Sequence, residues 1–305
     1  MRIVSLVPSA TEILYTLGAG DEVVGVTYAC DHPPEAKTKP IVVKPKINTA
    51  GLVSREIDRL VSEHYRRGEQ LYIIDTELLY RLRPDLIVSQ GLCEVCAVMP
   101  GSVEEAVSRL RPASKVLTLH PHSIGDVLGD VLRVGEAIGR REEAGELVER
   151  LRAEIRRVAE KARGLERKRT FFMEWCDPPY CSGHWVPEMV EIAGGIDFGE
   201  KGKPSRRVMP EEILRFSPEI IVCGPCGYGL SEAYRDAGEL IAQDWIRETP
   251  AYMKDEVYAV SASIYFSRHG PSVMKGISIL AEIIHPEEFK GMAPQDTYAK
   301  LKVMD

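Results

Sequence analysis

The sequence predicts an α/β protein of two parallel-sheet lobes joined by a single long helix, with a ligand cleft between the lobes. Three observations predict it. Short apolar strand runs alternate with amphipathic helical segments along the whole chain, the pattern of parallel sheets with helical crossovers. A segment that starts at Glu77 recurs, in type and spacing, at Glu211. The length of 305 residues exceeds one ordinary core and suits two lobes of about 140 residues each.

The elements follow in order. Residues 3–7 read as a buried strand. Ser9 and Glu12 have capping-box spacing. They open a helix that carries Ile13, Leu14 and Leu17 on one side and closes at Gly18-Ala19-Gly20. Residues 23–27 form a strand, 55–65 a helix, 71–74 a short strand and 77–82 a short helix. Two more strands follow at 85–89 and 115–119. Residues 123–138 form an amphipathic helix that stops near Gly139. Residues 141–164 place Leu147, Leu151, Ile155 and Val158 on one stripe under mixed charge, as an exposed connecting helix does. Such a helix spans about 35 Å at the usual helical rise. The expected division is a first lobe at 1–140, a connecting helix at 141–166 and a second lobe at 167–305. The second lobe reads as strand 170–174, helix 187–193, helix 210–216 with Pro210 in its first turn, strands 219–222 and 257–260, and a closing helix at 271–285.

Composition narrows the function. Acidic residues outnumber basic ones 46 to 39, for a net charge of −7. Without a basic excess, nucleic acid is not an expected partner. No apolar run approaches the ~18–20 residues that span a bilayer, so no membrane insertion is expected. Met1-Arg2 leads straight into the first strand, with neither the features of a signal peptide nor a lipobox cysteine. A cytoplasmic location is expected for the chain as it stands, and an extracytoplasmic one if it is a mature form. No nucleophile elbow, Walker loop or zinc-helix motif is present. Gly18-Ala19-Gly20 ends a helix rather than starting one, so the dinucleotide fingerprint is not met. No catalytic residue is expected.

In the repeat, Glu77 and Glu211 each stand seven residues before a proline, Pro84 and Pro218, and a short apolar strand follows each proline. Both strands run into Gly/Cys-rich loops, which hold Cys93 and Cys96 in one case and Cys223 and Cys226 in the other. In open α/β sheets, ligands sit at the carboxyl ends of strands. All seven cysteines (Cys30, Cys93, Cys96, Cys176, Cys181, Cys223 and Cys226) fall at or just after a predicted strand. Three readings stand: thiolate ligands for zinc, copper(I) or an iron–sulfur cluster, a redox pair or disulfide, and buried core filling. His32, His184 and His269 lie in loops near strand ends. Tyr180, Trp185 and Tyr228 offer aromatic faces on which a flat macrocycle could stack. Trp185 reads equally as packing for the helix that follows it.

These segments resemble the cobalamin and ferric-siderophore solute-binding proteins of ABC importers. The resemblance rests on residues 3–20 with 23–27, on Asp31 to Lys37, on Pro178 to Gly183 leading to Glu191 to Gly195, and on Gly270-Pro271 with Leu280 to Pro286. It implies two α/β lobes on one long helix, ligand held in the cleft and little hinge motion. It also implies that a glutamate on each lobe docks onto permease arginines. Glu77 and Glu211 occupy the matching positions, with a helix-dipole role as the alternative. Two features depart from the pattern of exported members: the start of the chain and the thiols near strand ends. Cys30-Asp31-His32, the segment 92–97 and the segment 175–190 resemble a cysteine-rich subgroup.

Two functions are carried forward. In the first, the chain is a binding module for an ABC importer. It would hold a corrinoid (cobalamin) or a chelated metal, stacked by Tyr180, Trp185 and Tyr228 and touched by His32 or His184. In the second, it is a cytosolic metalloprotein or enzyme. Here Cys30, Cys93, Cys96 and Cys226 bind zinc or an iron–sulfur cluster, with Cys176, Cys181 and Cys223 as further candidates.

Overall fold

The computed structural model describes residues 1–92, 100–108 and 113–302. The chain divides into two compact units. Unit 1 comprises Met1–Leu52, Glu56–Pro121 and Gly125–Glu149; unit 2 comprises Val53–Arg55, His122–Ile124 and Arg150–Asp305.

Along residues 1–149, where Val53–Arg55 and His122–Ile124 belong to unit 2, the order is β1 (Ile3–Ser5), α1 (Pro8–Thr16), β2 (Val23–Thr27), β3 (Ile41–Pro45), α2 (Ser54–Arg66), β4 (Tyr72–Ile74), α3 (Thr76–Leu82), β5 (Leu86–Gln90), α4 (Pro100–Ser108), β6 (Lys115–Leu119) and α5 (Ile124–Ala137). The sheet order is β4-β3-β2-β1-β5-β6. All neighbours run parallel except β4, which pairs antiparallel with β3 at the edge. Ile3, Val4, Ile87 and Val88 are fully buried, as central strands covered on both faces must be. Helix α1 starts differently from the sequence expectation. Val7 is its N-cap and Pro8 its first residue, because the proline ring presets the helical φ. Ser9 and Glu12 are instead buried inside the helix. Gly18 ends it with φ +76°, a conformation that costs glycine little.

Helix α6 (Arg141–Ala162) contains the boundary between the units. Unit 2 then runs β7 (Lys168–Trp175), β8 (Tyr180–Cys181), α7 (Val186–Ile192), β9 (Gly195–Asp197), α8 (Pro210–Phe216), β10 (Ile220–Cys223), α9 (Leu230–Ile241), α10 (Pro250–Met253), β11 (Val257–Val260), α11 (Ala262–Tyr265), α12 (Val273–Ile284) and β12 (Tyr298–Lys300). Its sheet order is β12-β11-β10-β7-β8, with β9 also paired to β7. The strands β7, β10 and β11 are mutually parallel, and β8 and β12 are antiparallel edges. Phe171, Met173, Ile221 and Cys223 lie in one core cluster with Ala233, Ala237 and Leu240 of α9.

The repeat seen in the sequence is a repeat of hydrogen bonding. Helices α3 and α8 each end on a left-handed non-glycine residue, Arg83 (φ 45°) and Ser217 (φ 53°), directly before Pro84 and Pro218. The acid after each proline then grips the start of the neighbouring strand. Arg2 N donates to Asp85 Oδ2 at 2.7 Å, and Asp85 N donates back to Arg2 O at 2.8 Å. In unit 2, Arg169 N donates to Glu219 Oε2 at 3.0 Å, and Glu219 N donates to Arg169 O at 2.8 Å. Each arginine also ties down its helix end: Arg2 Nε donates to Leu82 O at 2.7 Å and Arg169 Nε to Ser217 O at 2.8 Å. These bonds set strand register beside a turn. Asp85→Ala and Glu219→Ala are each expected to lower unfolding free energy by about 1–2 kcal/mol in urea titrations, whereas Glu77→Ala should leave it unchanged.

Candidate ligand site

Because β7, β10 and β11 are parallel, their carboxyl ends open at one edge of the unit 2 sheet. Three connections start there, after Trp175, Cys223 and Val260. They are stitched to one another by backbone bonds. Cys226 N donates to Glu174 O at 3.0 Å, and Ser263 N donates to Tyr228 O at 2.9 Å. Gly227 N donates to Ser267 Oγ at 3.1 Å, and Arg268 Nη2 to Ser263 Oγ at 2.8 Å. Gly224 leaves room for the Phe172 ring, which a Cβ would meet at 2.5 Å.

This edge carries an aromatic pair. The half-buried rings of Trp175 and Tyr228 meet edge-on with centroids 5.4 Å apart, a favourable quadrupole geometry. The short segment Val53–Arg55 belongs to unit 2 and fixes both. Trp175 Nε1 donates to Ser54 O at 3.2 Å. Ser54 lies beside the Tyr228 hydroxyl, and Ser54 Oγ donates to the buried carboxylate of Asp236 in α9. Arg55 closes the segment with an ion pair to Asp177 at 2.8 Å. Burial, followed by the nearby Asp236 charge, pushes the Tyr228 hydroxyl up to about 12, so it stays a neutral donor. Burial also raises Asp236 above the usual carboxylate range.

Of the expected stacking residues, Tyr228 lies in this cluster. Tyr180 is half-buried on β8, in register with Trp175. Trp185 needs correction: it is 4% exposed, and its Nε1 donates to Phe266 O at 3.0 Å. It packs α7 onto the core, and its place as an aromatic at the site goes to Trp175. His184 is half-buried, with a left-handed backbone (φ 52°) pinned by His184 N to Lys203 O at 2.6 Å and Gly202 N to His184 O at 2.9 Å. Its ring lies 5.7 Å from that of His122. Burial, with His122 second, lowers its basicity. His32 is half-buried in the connection after β2 of unit 1.

The cysteines part company. Cys30 packs among hydroxyls, 3.1 Å from Thr11 Oγ1 and 3.3 Å from Thr27 Oγ1. Cys181 is buried in the core of unit 2, where burial raises its thiol. The neighbouring Cys223 sulfur, then burial and the nearby Asp236 carboxylate, hold the Cys176 thiol well above the ordinary thiol range. Cys226 is half-buried, and none of these five is in a disulfide. Cys93 and Cys96 lie outside the described residues. Among the described residues no group of three His, Cys, Asp or Glu side chains is placed to hold a metal ion. The expected thiolate site therefore does not assemble from the described cysteines.

Glu77 and Glu211 are exposed in the first turns of α3 and α8. Capping falls to other residues. Asp75 Oδ1 accepts from Leu78 N at 2.9 Å, and Glu212 Oε2 accepts from Met209 N at 2.9 Å.

A family model described as periplasmic binding protein matches residues 3–263. An ABC transporter substrate-binding lipoprotein of Bacillus subtilis, YvrC, is 27% identical over 297 residues, 95% of this chain and 81% of that protein. A vitamin B12-binding protein of Vibrio cholerae is 23% identical over 283 residues, 90% of this chain and 86% of its own. Among solved structures, the periplasmic vitamin B12 binding protein BtuF of Vibrio cholerae superposes with a TM-score of 0.69 at 20% identity. The match covers 95% of this chain and 98% of that one. The periplasmic heme-binding protein RhuT of Roseiflexus gives 0.71 at 21% identity, covering 94% and 99%. Among the described residues no helix is long and apolar enough to cross a membrane.

His269, buried against Trp185 with ring centroids 5.8 Å apart, gives this region a pH signature. Burial holds its pKa down to about 3, from 6.5. The unfolded chain therefore takes up a proton below pH 6.5 that the native state refuses. The stability involved is complete above pH 6.5 and lost as pH falls toward 3. Compared with His269→Gln, the wild type should lose about 2 kcal/mol more unfolding free energy between about pH 7.5 and 5. Equal losses in urea titrations would contradict the burial argument.

Proposed function

The chain belongs to the periplasmic binding protein family, and on that footing we propose that it captures a cobalt corrinoid, cobalamin or a close relative, and passes it to an ABC permease. The observation that carries this reading is the Trp175–Tyr228 pair at the carboxyl ends of parallel strands. It supplies apolar π-faces for a flat macrocycle. Tyr180 and His184 of unit 2 are the further contacts we assign. The likeness to proteins named for vitamin B12 favours the corrinoid over haem, although a haem-binding protein shares the fold. Family membership also supports work outside the cytoplasmic membrane, the alternative location in the sequence reading. The metalloenzyme reading gains nothing from the described cysteines.

The reading is tested by calorimetric titration of the reduced protein with hydroxocobalamin. One-to-one binding is expected, and Trp175→Ala and Tyr228→Ala should each weaken it at least tenfold, since each large aromatic anchor contributes about 1.5 kcal/mol or more. Trp185→Phe should change affinity little while lowering stability. Binding unaffected by Trp175→Ala would remove the site from this edge.

Docking on the permease is assigned to Glu77 and Glu211, whose carboxylates are exposed and relieved of capping. Glu77→Lys with Glu211→Lys is expected to abolish uptake in a transport assay with ligand affinity unchanged. Wild-type uptake by the double variant would show that these carboxylates do not dock.

A further inference from the structure

We propose that Arg2, Arg81 and Arg83 of unit 1 form a binding site for a soluble phosphorylated small molecule, a phosphate ester or a diphosphate. With Tyr80 they line an open cavity of about 550 Å³, within the roughly 300–1,000 Å³ typical of small-molecule sites. The cavity lies at the amino edge of the sheet. Arg2 directly precedes β1, Arg83 stands three residues before β5, and β1 and β5 run parallel. In open α/β sheets the usual ligand edge is the opposite one, so this site is separate from the corrinoid reading and does not rest on it.

The internal repeat supplies a comparison. The corresponding turn of unit 2 has Arg169 for Arg2, Arg215 for Arg81, Ser217 for Arg83 and Glu219 for Asp85. There the longer acid, Glu219, also pairs with the Arg169 guanidinium at 3.5 Å, and Ser217 brings no charge. In unit 1 the acid is one methylene shorter. Asp85 Oδ2 accepts from Arg2 N at 2.7 Å, and Arg2 Nε donates to Leu82 O at 2.7 Å. Among the described residues, none forms an ion pair with Arg2, Arg81 or Arg83. Unit 1 thus gathers three unpaired guanidiniums at a turn where unit 2 carries two, one of them paired, in a chain whose net charge is −7. Like charges around one cavity repel, a cost that a bound anion reverses.

The chemistry selects the anion. A guanidinium presents a planar fork of donors that matches phosphate and carboxylate oxygens. A lone carboxylate offers two oxygens and one charge. A phosphate ester offers three oxygens and a charge of about −2, which three guanidiniums match better. The Leu82 contact holds Arg2 in place and leaves its two Nη groups for the anion. Arg81 and Arg83 are exposed at the end of α3, and half-buried Tyr80 adds a neutral hydroxyl.

The test is a calorimetric titration of the full chain with inorganic pyrophosphate, in low-salt buffer free of divalent cations. Saturable one-to-one binding is expected. Arg81→Ser and Arg83→Ser, exposed positions whose variants are checked by thermal unfolding, should each weaken it at least about tenfold. Asp85→Glu gives unit 1 the longer acid of unit 2 and removes no positive charge; it should weaken binding about threefold. Arg215→Ser in unit 2 should leave it unchanged. No saturable heat with the wild type overturns the proposal, as does wild-type affinity in the double variant Arg81→Ser with Arg83→Ser. Flotation with phosphatidylglycerol vesicles separates a soluble ligand from a lipid headgroup. The chain is expected to stay in solution, and flotation that depends on Arg83 without pyrophosphate binding overturns the soluble ligand.

Discussion

Parallel pairing of β7 with β10 and of β10 with β11 is the constraint on which the rest of unit 2 depends. Parallel neighbours must each return by a crossover, so every strand ends at the same edge and every following connection starts there. That edge has to satisfy many backbone groups. It does so with bonds between connections, such as Cys226 N to Glu174 O and Ser263 N to Tyr228 O. The aromatic pair is held by the same network. Trp175 is the last residue of β7, and Tyr228 follows the Cys-x-x-Cys turn after β10.

The buried Ser54–Asp236 hydrogen bond, with Tyr228 and Cys176 beside it, gives the edge its chemical character. Tyr228 and Asp236, chiefly by burial, and Cys176, by its Cys223 neighbour and then burial, are all shifted toward their protonated forms. A surface of neutral groups and aromatic faces suits a large, nearly flat ligand better than a small anion. In unit 1, Cys30 after β2 packs among the hydroxyls of Thr11 and Thr27, and Thr11 Oγ1 donates to Ser5 Oγ. The units share a plan yet differ in chemistry at the strand ends. The shared part is mechanical: an acid after the proline grips the first residues of the neighbouring strand in both.

Most elements were legible because their signals were local and strong. The strands at 23–27, 115–119 and 257–260 are short and mostly apolar, the helix at 210–216 opens on Pro210, and their bounds agree with the structure. Strand β3 escaped notice because its apolar run is short and bounded by Pro40 and Pro45. Helix α9 escaped because its inward positions are Ala233, Asp236, Ala237 and Leu240. Two alanines and an aspartate give no apolar stripe, although the spacing is helical. That same Asp236 is the hub of the site, so the missed helix and the missed site residue have one cause. Trp175 and Trp185 sit ten residues apart after the same strand, and sequence alone does not say which indole faces the core. The bond from Trp185 Nε1 to Phe266 O decides it. Ser54 belongs to the site through tertiary contacts with residues more than 100 positions away, for which no local pattern exists.

The central claim is that this edge is built for a corrinoid. It is tested most directly by equilibrium dialysis of the reduced protein against an equimolar mixture of hydroxocobalamin and haemin, with the bound fraction identified from its absorbance spectrum. The account predicts one equivalent of corrinoid retained in preference to haem, and loss of that retention in Trp175→Ala. Retention of haem with no corrinoid, or of neither, would contradict it.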